Sequence, residues 1–252
     1  KKHTMAVNVD SVYQKVLAIA NKEQRGYITP LEFNLLANQA QDAIFEQYFY
    51  DIKQWNDQKA GNSTEYSDML DVLAEKISPF EQYKVAVSAV ASTNEITLPT
   101  DTYRLGTVFF AVGGAYDVEV ERVEKNDFLY MERTALFSPS KTRPVYVRKS
   151  DTKLKLFPAA NTPAYATGNV TCNYIKKPAE VYFGYVLIPQ SQGGNEYPLY
   201  DASNSTDFEL HQSEENTLVY KILELSGIIL NKPGLIQIAA GEDQQITQEE
   251  KV

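Results

Sequence analysis

Ile28-Thr29-Pro30-Leu31-Glu32-Phe33 carries the marks of a helix start. Thr29 can cap with its hydroxyl, Pro30 suits the first helical position, and Glu32, three residues after Thr29, closes a capping box. Ile28 before the cap and Phe33 one turn in are placed to form a hydrophobic staple. Beyond them Phe33, Leu36, Ala37, Ala40, Ile44 and Tyr48 recur on one face, which predicts a long helix reaching about Trp55. Small Ala37 and Ala40 would let a second helix approach closely.

Upstream, Val9, Val12, Val16, Leu17 and Ala20 repeat at spacings of three and four, so a first helix is expected after a cap at Asp10 or Ser11. Downstream, a polar loop over 56–64 leads to Tyr66, Met69, Leu70, Leu73 and Ile77, a third helix stopped by Ser78-Pro79. The period then changes to two. Val85, Val87 and Ala89 alternate, Ile96 and Leu98 follow, and Thr107 to Val112 is a β-prone run. Gly113-Gly114 separates that run from the strict alternation of 116–123, which predicts a hairpin. A short helix over 126–136 precedes strands at 144–148, 153–157 and 168–176, with 180–188 as one more. Residues 189–205, rich in Gly, Asn, Ser, Pro and Tyr, read as a long surface loop. Helix returns with Ser213 as cap, Glu214 and Glu215 at the positive end of the dipole, and Leu218, Ile222, Leu225 and Ile229 on one face. Asn231-Lys232-Pro233-Gly234 ends it.

The expected fold class is therefore α+β, with N- and C-terminal helices packed as a bundle and an inserted antiparallel β domain of about six to eight strands. The expected divisions are a helical part over 1–80, the β insertion over 81–190, a C-terminal helix over 206–234 that joins the helical part, and a docking tail over 235–252.

At 252 residues, with 43% hydrophobic and 23% charged residues, the chain can bury a core without staples. Its 17 Tyr and 11 Phe against one Trp, Trp55, suit surfaces that are wet in a free subunit and buried in an assembly, or ordinary half-exposed strand faces. A formal net charge of −9 makes binding to nucleic acid or anionic membrane a poor expectation for the whole chain. The single cysteine, Cys172, sits in an apparent strand, which leaves neither a disulfide framework nor a multi-cysteine metal site within one chain. No apolar run approaches a membrane span, and Lys1-Lys2-His3-Thr4-Met5 lacks the apolar stretch of a signal peptide. Assembly in a cytoplasm is expected.

Reactive constellations are thin. His3 lies in a terminus and His211 just before a helix, neither with a ligand-spaced partner. Gly113-Gly114 lacks the Lys-Ser or Lys-Thr of a phosphate loop, and a calcium loop begun at Asn56 fails, with Gln58 and Ala60 at ligand positions and Ser67 where Glu is needed. Glu249-Glu250 belongs to a solvated tail. No catalytic residue, cofactor-binding residue or metal ligand is assigned, no cofactor is called for, and no enzyme is expected. Lys141, Arg143, Arg148, Lys149, Lys153 and Lys155 gather around Tyr146 and Phe157, a pattern that can touch phosphates but more often marks a solvated strand face.

Three stretches carry a resemblance: 20–30 with Glu32-Phe33-Asn34; Asn38-Gln39-Ala40-Gln41 with Phe45-Glu46-Gln47-Tyr48-Phe49; and Phe208-Glu209-Leu210-His211 with Glu214-Glu215. They resemble virion structural proteins of short-tailed phages, in particular the ring proteins of crAss-like phages. Residues 143–147, 153–158 and 173–178 are similar to the β region of the wider head-to-tail adaptor group. The resemblance implies a homo-oligomeric ring of about twelve copies under the portal protein, in contact with other tail ring proteins. It implies a subunit located in the virion, lining a channel through which genome DNA passes without sequence-specific binding, and no membrane partner. The basic cluster near 141–155 departs from an acidic lumen. The alternative is a β-rich binding module for host glycan or peptide, using the 189–205 loop with Tyr197 and Tyr200 as contacts.

Overall fold

The computed structural model describes residues 6–22, 28–57, 71–90, 93–112, 116–134, 136–157, 169–188 and 197–229. It is a mixed α+β chain in two compact units, one made of residues 1–79 with 178–252 and the other of residues 80–177.

The first unit holds helices α1 (Val9–Lys22), α2 (Pro30–Asp57), α3 (71–77) and α5 (Glu215–Ile229), and the two-stranded sheet of β9 (Tyr185–Ile188) and β10 (Tyr197–Tyr200). The α2 start forms as its sequence predicts. The Thr29 amide donates to Glu32 Oε2 at 2.9 Å and the Glu32 amide donates to Thr29 Oγ1 at 3.3 Å. The Thr29 amide, together with the Thr29 hydroxyl donating to the same Oε2 at 2.8 Å, holds the Glu32 carboxyl below its usual range. Ile28 and Phe33 are both buried. Helix α1 begins earlier than expected, because Asn8 caps it by accepting from the Ser11 amide at 3.0 Å, and Asp207 takes the Val9 amide at 2.9 Å. Helix α5 packs against both α1 and α2.

Three amides on α2 replace a missing strand partner. Asn34 accepts from the Phe183 amide at 2.7 Å and donates to the Phe183 carbonyl at 3.3 Å. One turn on, Asn38 accepts from Val181 at 2.8 Å and donates to its carbonyl at 2.9 Å. Gln41 donates to the Ala179 carbonyl at 2.8 Å and accepts from the Glu209 amide at 3.2 Å. Residues spaced by two along an extended chain thus meet residues one turn apart on a helix, and the buried Val181 and Phe183 are satisfied by side chains while exposed Tyr182 between them bridges Thr206. This is why only 185–188 of the expected strand over 180–188 pairs as a strand. Phe183 then packs on Tyr13, with ring centroids 4.4 Å apart, and on Tyr200 at 5.1 Å.

The second unit is an eight-stranded sheet in the order β1-β8-β4-β5-β6-β7-β3-β2. Its strands are β1 (Glu81–Ala86), β2 (Ser88–Val90), β3 (Glu95–Thr97), β4 (Thr102–Val112), β5 (Tyr116–Arg122), β6 (Val145–Arg148), β7 (Lys153–Phe157) and β8 (Val170–Lys176), with helix α4 (Lys125–Arg133) between β5 and β6. The alternating stretch around 85–89 is two strands rather than one. Only Val87 separates β1 from β2, the strands at opposite ends of the order, so the sheet must curl until its edges approach; the Val87 amide bonds the Val170 carbonyl at 3.1 Å. Inside the curl lie Val87, Ile96, Leu98, Val108, Phe110, Val120, Leu154, Leu156, Val170 and Cys172.

The predicted β4–β5 hairpin forms, with Val112 opposite Tyr116. The sheet is not wholly antiparallel, however: β5 and β6 run parallel, Glu121 opposite Val145. A parallel neighbour requires a crossover, and α4 supplies it. The crossover also explains why Val145, Tyr146 and Val147 are all buried. Tyr146 joins the inner core, while Val145 and Val147 pack with Phe128 of α4 on the outer side.

Candidate functional site

The crossover brings α4 alongside β6 and β7 and builds a face that is both basic and apolar. Phe128 of α4 and Phe157 of β7 stack with centroids 3.9 Å apart and an interplanar angle of 29°. They floor a hollow of about 260 Å³ whose lining adds Val147, Lys125, Lys149 and Lys155. A second hollow of about 330 Å³ shares Lys125 and Val147 and is edged by Arg122 and Arg148. Lys155 Nζ lies 5.4 Å from the Phe157 ring centre, a cation–π distance.

Some of these cations are already engaged. Arg148 reaches Asp151 at 3.7 Å and bonds the Ser150 and Asp151 carbonyls. Lys149 bonds Glu95, which holds that carboxyl below its usual range. Arg122, Lys125 and Lys155 have no carboxylate within ion-pair distance among the described residues. Glu124 also lines the second hollow, and set against that one acid Arg122, Lys125 and Lys155 leave the rim a positive excess. Outward on α4 and just past it, Leu129, Tyr130, Leu136 and Phe137 are each more than half exposed, so apolar surface borders the cations. Another hollow, of about 400 Å³, opens where β1, β4 and β8 bulge around Gly106 and Asn173, but one acid, Glu81, and one base, Arg104, leave it without a charge bias.

The residues singled out from sequence fall as follows. Lys149 and Lys155 meet on the apolar hollow and Arg148 edges its neighbour. Arg143 instead pairs with Glu121 at 3.4 Å. Arg122, Lys125 and Phe128 lie outside the cluster in sequence, and only the α4 crossover brings them to it. His211 caps a short 3-10 turn over 212–214, its Nδ1 accepting from the Ser213 amide at 3.3 Å. Glu214, expected to serve the helix dipole, is buried against Lys76 at 2.8 Å. Cys172 is buried, and burial pushes its thiol up to about 11. The expected loop over 189–205 is partly structured, because 197–200 pair with β9 as β10 and Tyr200 faces Phe183. His3, residues 58–67 of the calcium-loop stretch, whose first residue Asn56 falls in α2, Gly113-Gly114, residues 189–196 and the 235–252 tail lie outside the described residues.

Among the described residues no three His, Cys, Asp or Glu stand together as a metal site would, and no helix is long and apolar enough to cross a membrane. No model of a known protein family matches the chain, and no curated protein matches it.

Proposed function

We propose that the chain is a ring-forming head-to-tail connector of a tailed phage, a virion subunit that sits under the portal and extends the DNA channel. The observation that carries the proposal is an imbalance of charge between the two units. Residues 80–177 hold 13 Lys and Arg against 10 Asp and Glu, a net of +3, and the remaining residues hold 11 against 23, a net of −12. A subunit with two dissimilar surfaces of opposite sign associates heterologously, and a heterologous contact whose rotation closes makes a ring.

In this reading the N- and C-terminal helices act as a bundle that forms the ring wall, and the β unit is an insertion that meets neighbouring copies. The exposed Val186, Leu187 and Leu199 of the β9–β10 hairpin meet the next ring protein, and the tail over 235–252 docks on the portal. The acidic majority of the chain lines the channel, where like charge lets DNA slide without capture. The resemblance of 20–30 with 32–34, of 38–41 with 45–49 and of 208–211 with 214–215 to ring proteins supports the same reading. The test is electron microscopy of the chain mixed with a portal protein of a short-tailed phage. Rings stacked coaxially on the portal are expected; portals left bare at saturating chain overturn the proposal.

A further inference from the structure

We infer that the basic and apolar face of α4, β6 and β7 docks the outer stripe of helix α2 from a second copy of the chain. The inference rests on the ring reading and names its contact.

The receiving face has an aromatic floor, Phe128 on Phe157, ringed by Lys125, Lys149 and Lys155. Along α4, Lys125, Leu129 and Arg133 recur every four residues and are all exposed, so cationic and apolar side chains alternate in one column. That chemistry suits a helix whose exposed arc carries both acidic and apolar side chains. Helix α2 has such an arc, apolar at its two ends and acidic between them. Its opposite side is buried through Phe33, Ala37, Ala40, Ile44 and Tyr48, while Leu31, Leu35, Glu46 and Tyr50 fall within one arc and are exposed. Partly exposed Asp42 lies in the same arc.

Leu31, Leu35 and Tyr50 are each more than half exposed. Large apolar side chains held out on a regular helix beside carboxylates are the composition of an interface core with a charged rim. The 260 Å³ hollow is of a size to take a single large side chain such as Leu35 or Tyr50 between the lysines. Duplex DNA would use the cations but leave Leu129, Tyr130 and Phe137 in water. A protein surface uses both. Because the two faces differ, each copy offers one to each neighbour, as a closed ring requires.

The test is sedimentation and negative-stain microscopy of the full chain and of three variants at exposed or half-buried positions, Lys125→Glu/Lys155→Glu, Glu46→Lys and the combination of all three, with circular dichroism to confirm folding. Wild-type self-association should weaken about tenfold between about 50 mM and about 500 mM NaCl. Either set of reversals should weaken it about tenfold or more at low salt, and the combined variant should recover part of the loss. Association indifferent to salt, or unchanged in folded Lys125→Glu/Lys155→Glu, overturns the inference. So does a labelled duplex oligonucleotide that binds wild type and not this variant while self-association is unaltered. Rings that persist in the variants remove this contact and leave the ring reading standing. Salt-sensitive open oligomers that the reversals abolish keep the contact and remove the ring reading. A wild-type chain that stays monomeric removes both.

Discussion

Lys76 Nζ and Glu214 Oε1 lie 2.8 Å apart with both side chains almost wholly buried. Two charges withdrawn from water are tolerable only together, so removal of one strands the other. Lys76→Met should therefore destabilise the chain by about 3–5 kcal/mol, more than the double change Lys76→Met/Glu214→Leu. Urea unfolding of the single and double variants checks this. Equal losses would show that the pair is not what holds the 71–77 helix against the 212–214 turn.

The α2 amides predict a graded loss. Asn34→Ala and Asn38→Ala each leave a buried amide and carbonyl of the 181–183 segment without a partner, at a cost of about 1–3 kcal/mol. Asn38→Asp, which keeps the acceptor but cannot donate to the Val181 carbonyl, should fall at least as far as the alanine variant. Hydrogen exchange at the Val181 and Phe183 amides should speed up in the corresponding variant before the rest of the unit responds.

Acid should act through Glu215. The Ser11 hydroxyl donates to its carboxylate at 2.5 Å and Lys15 pairs at 3.0 Å, and these bonds hold its carboxyl below the ordinary value. A carboxyl depressed in the folded chain adds stability in full above its ordinary value of about 4.3, and that stability is lost as pH falls through the folded value. Glu215→Gln should thus be less stable than wild type at pH near 7, with the gap closing at pH near 3. Urea midpoints at the two pH values report it.

Cys172 is sealed within the curled sheet and its thiol is pushed up to about 11 by burial. It should resist thiol reagents in the folded chain at neutral pH and react at the rate of unfolding. Fast labelling without denaturant would contradict the closed core around Val108, Val170 and Cys172.

The start of α2 was legible because its capping is local: Thr29, Pro30 and Glu32 act on each other within four residues. The alternation of Val170, Cys172 and Tyr174 likewise gave the inner face of β8, since period two is intrinsic to a strand. What sequence did not show depends on distant partners. Asp207 sets the start of α1, Val87 joins the two sheet edges, and Asn34, Asn38 and Gln41 serve a segment well over a hundred residues away. The candidate face was half legible for the same reason. Lys149, Lys153 and Lys155 cluster in the sequence, but Arg122, Lys125 and Phe128 join them only through a parallel crossover that the glycine-marked hairpin and antiparallel pattern gave no reason to expect.

Assembly into a ring is tested most directly by the molar mass of the purified chain by light scattering across a wide range of concentration. A ring of the proposed kind gives a discrete species of about twelve subunits, formed by the chain alone or once portal protein is added, and closed rings in images of that species. A single 28.4 kDa mass at every concentration, with and without portal, would contradict it.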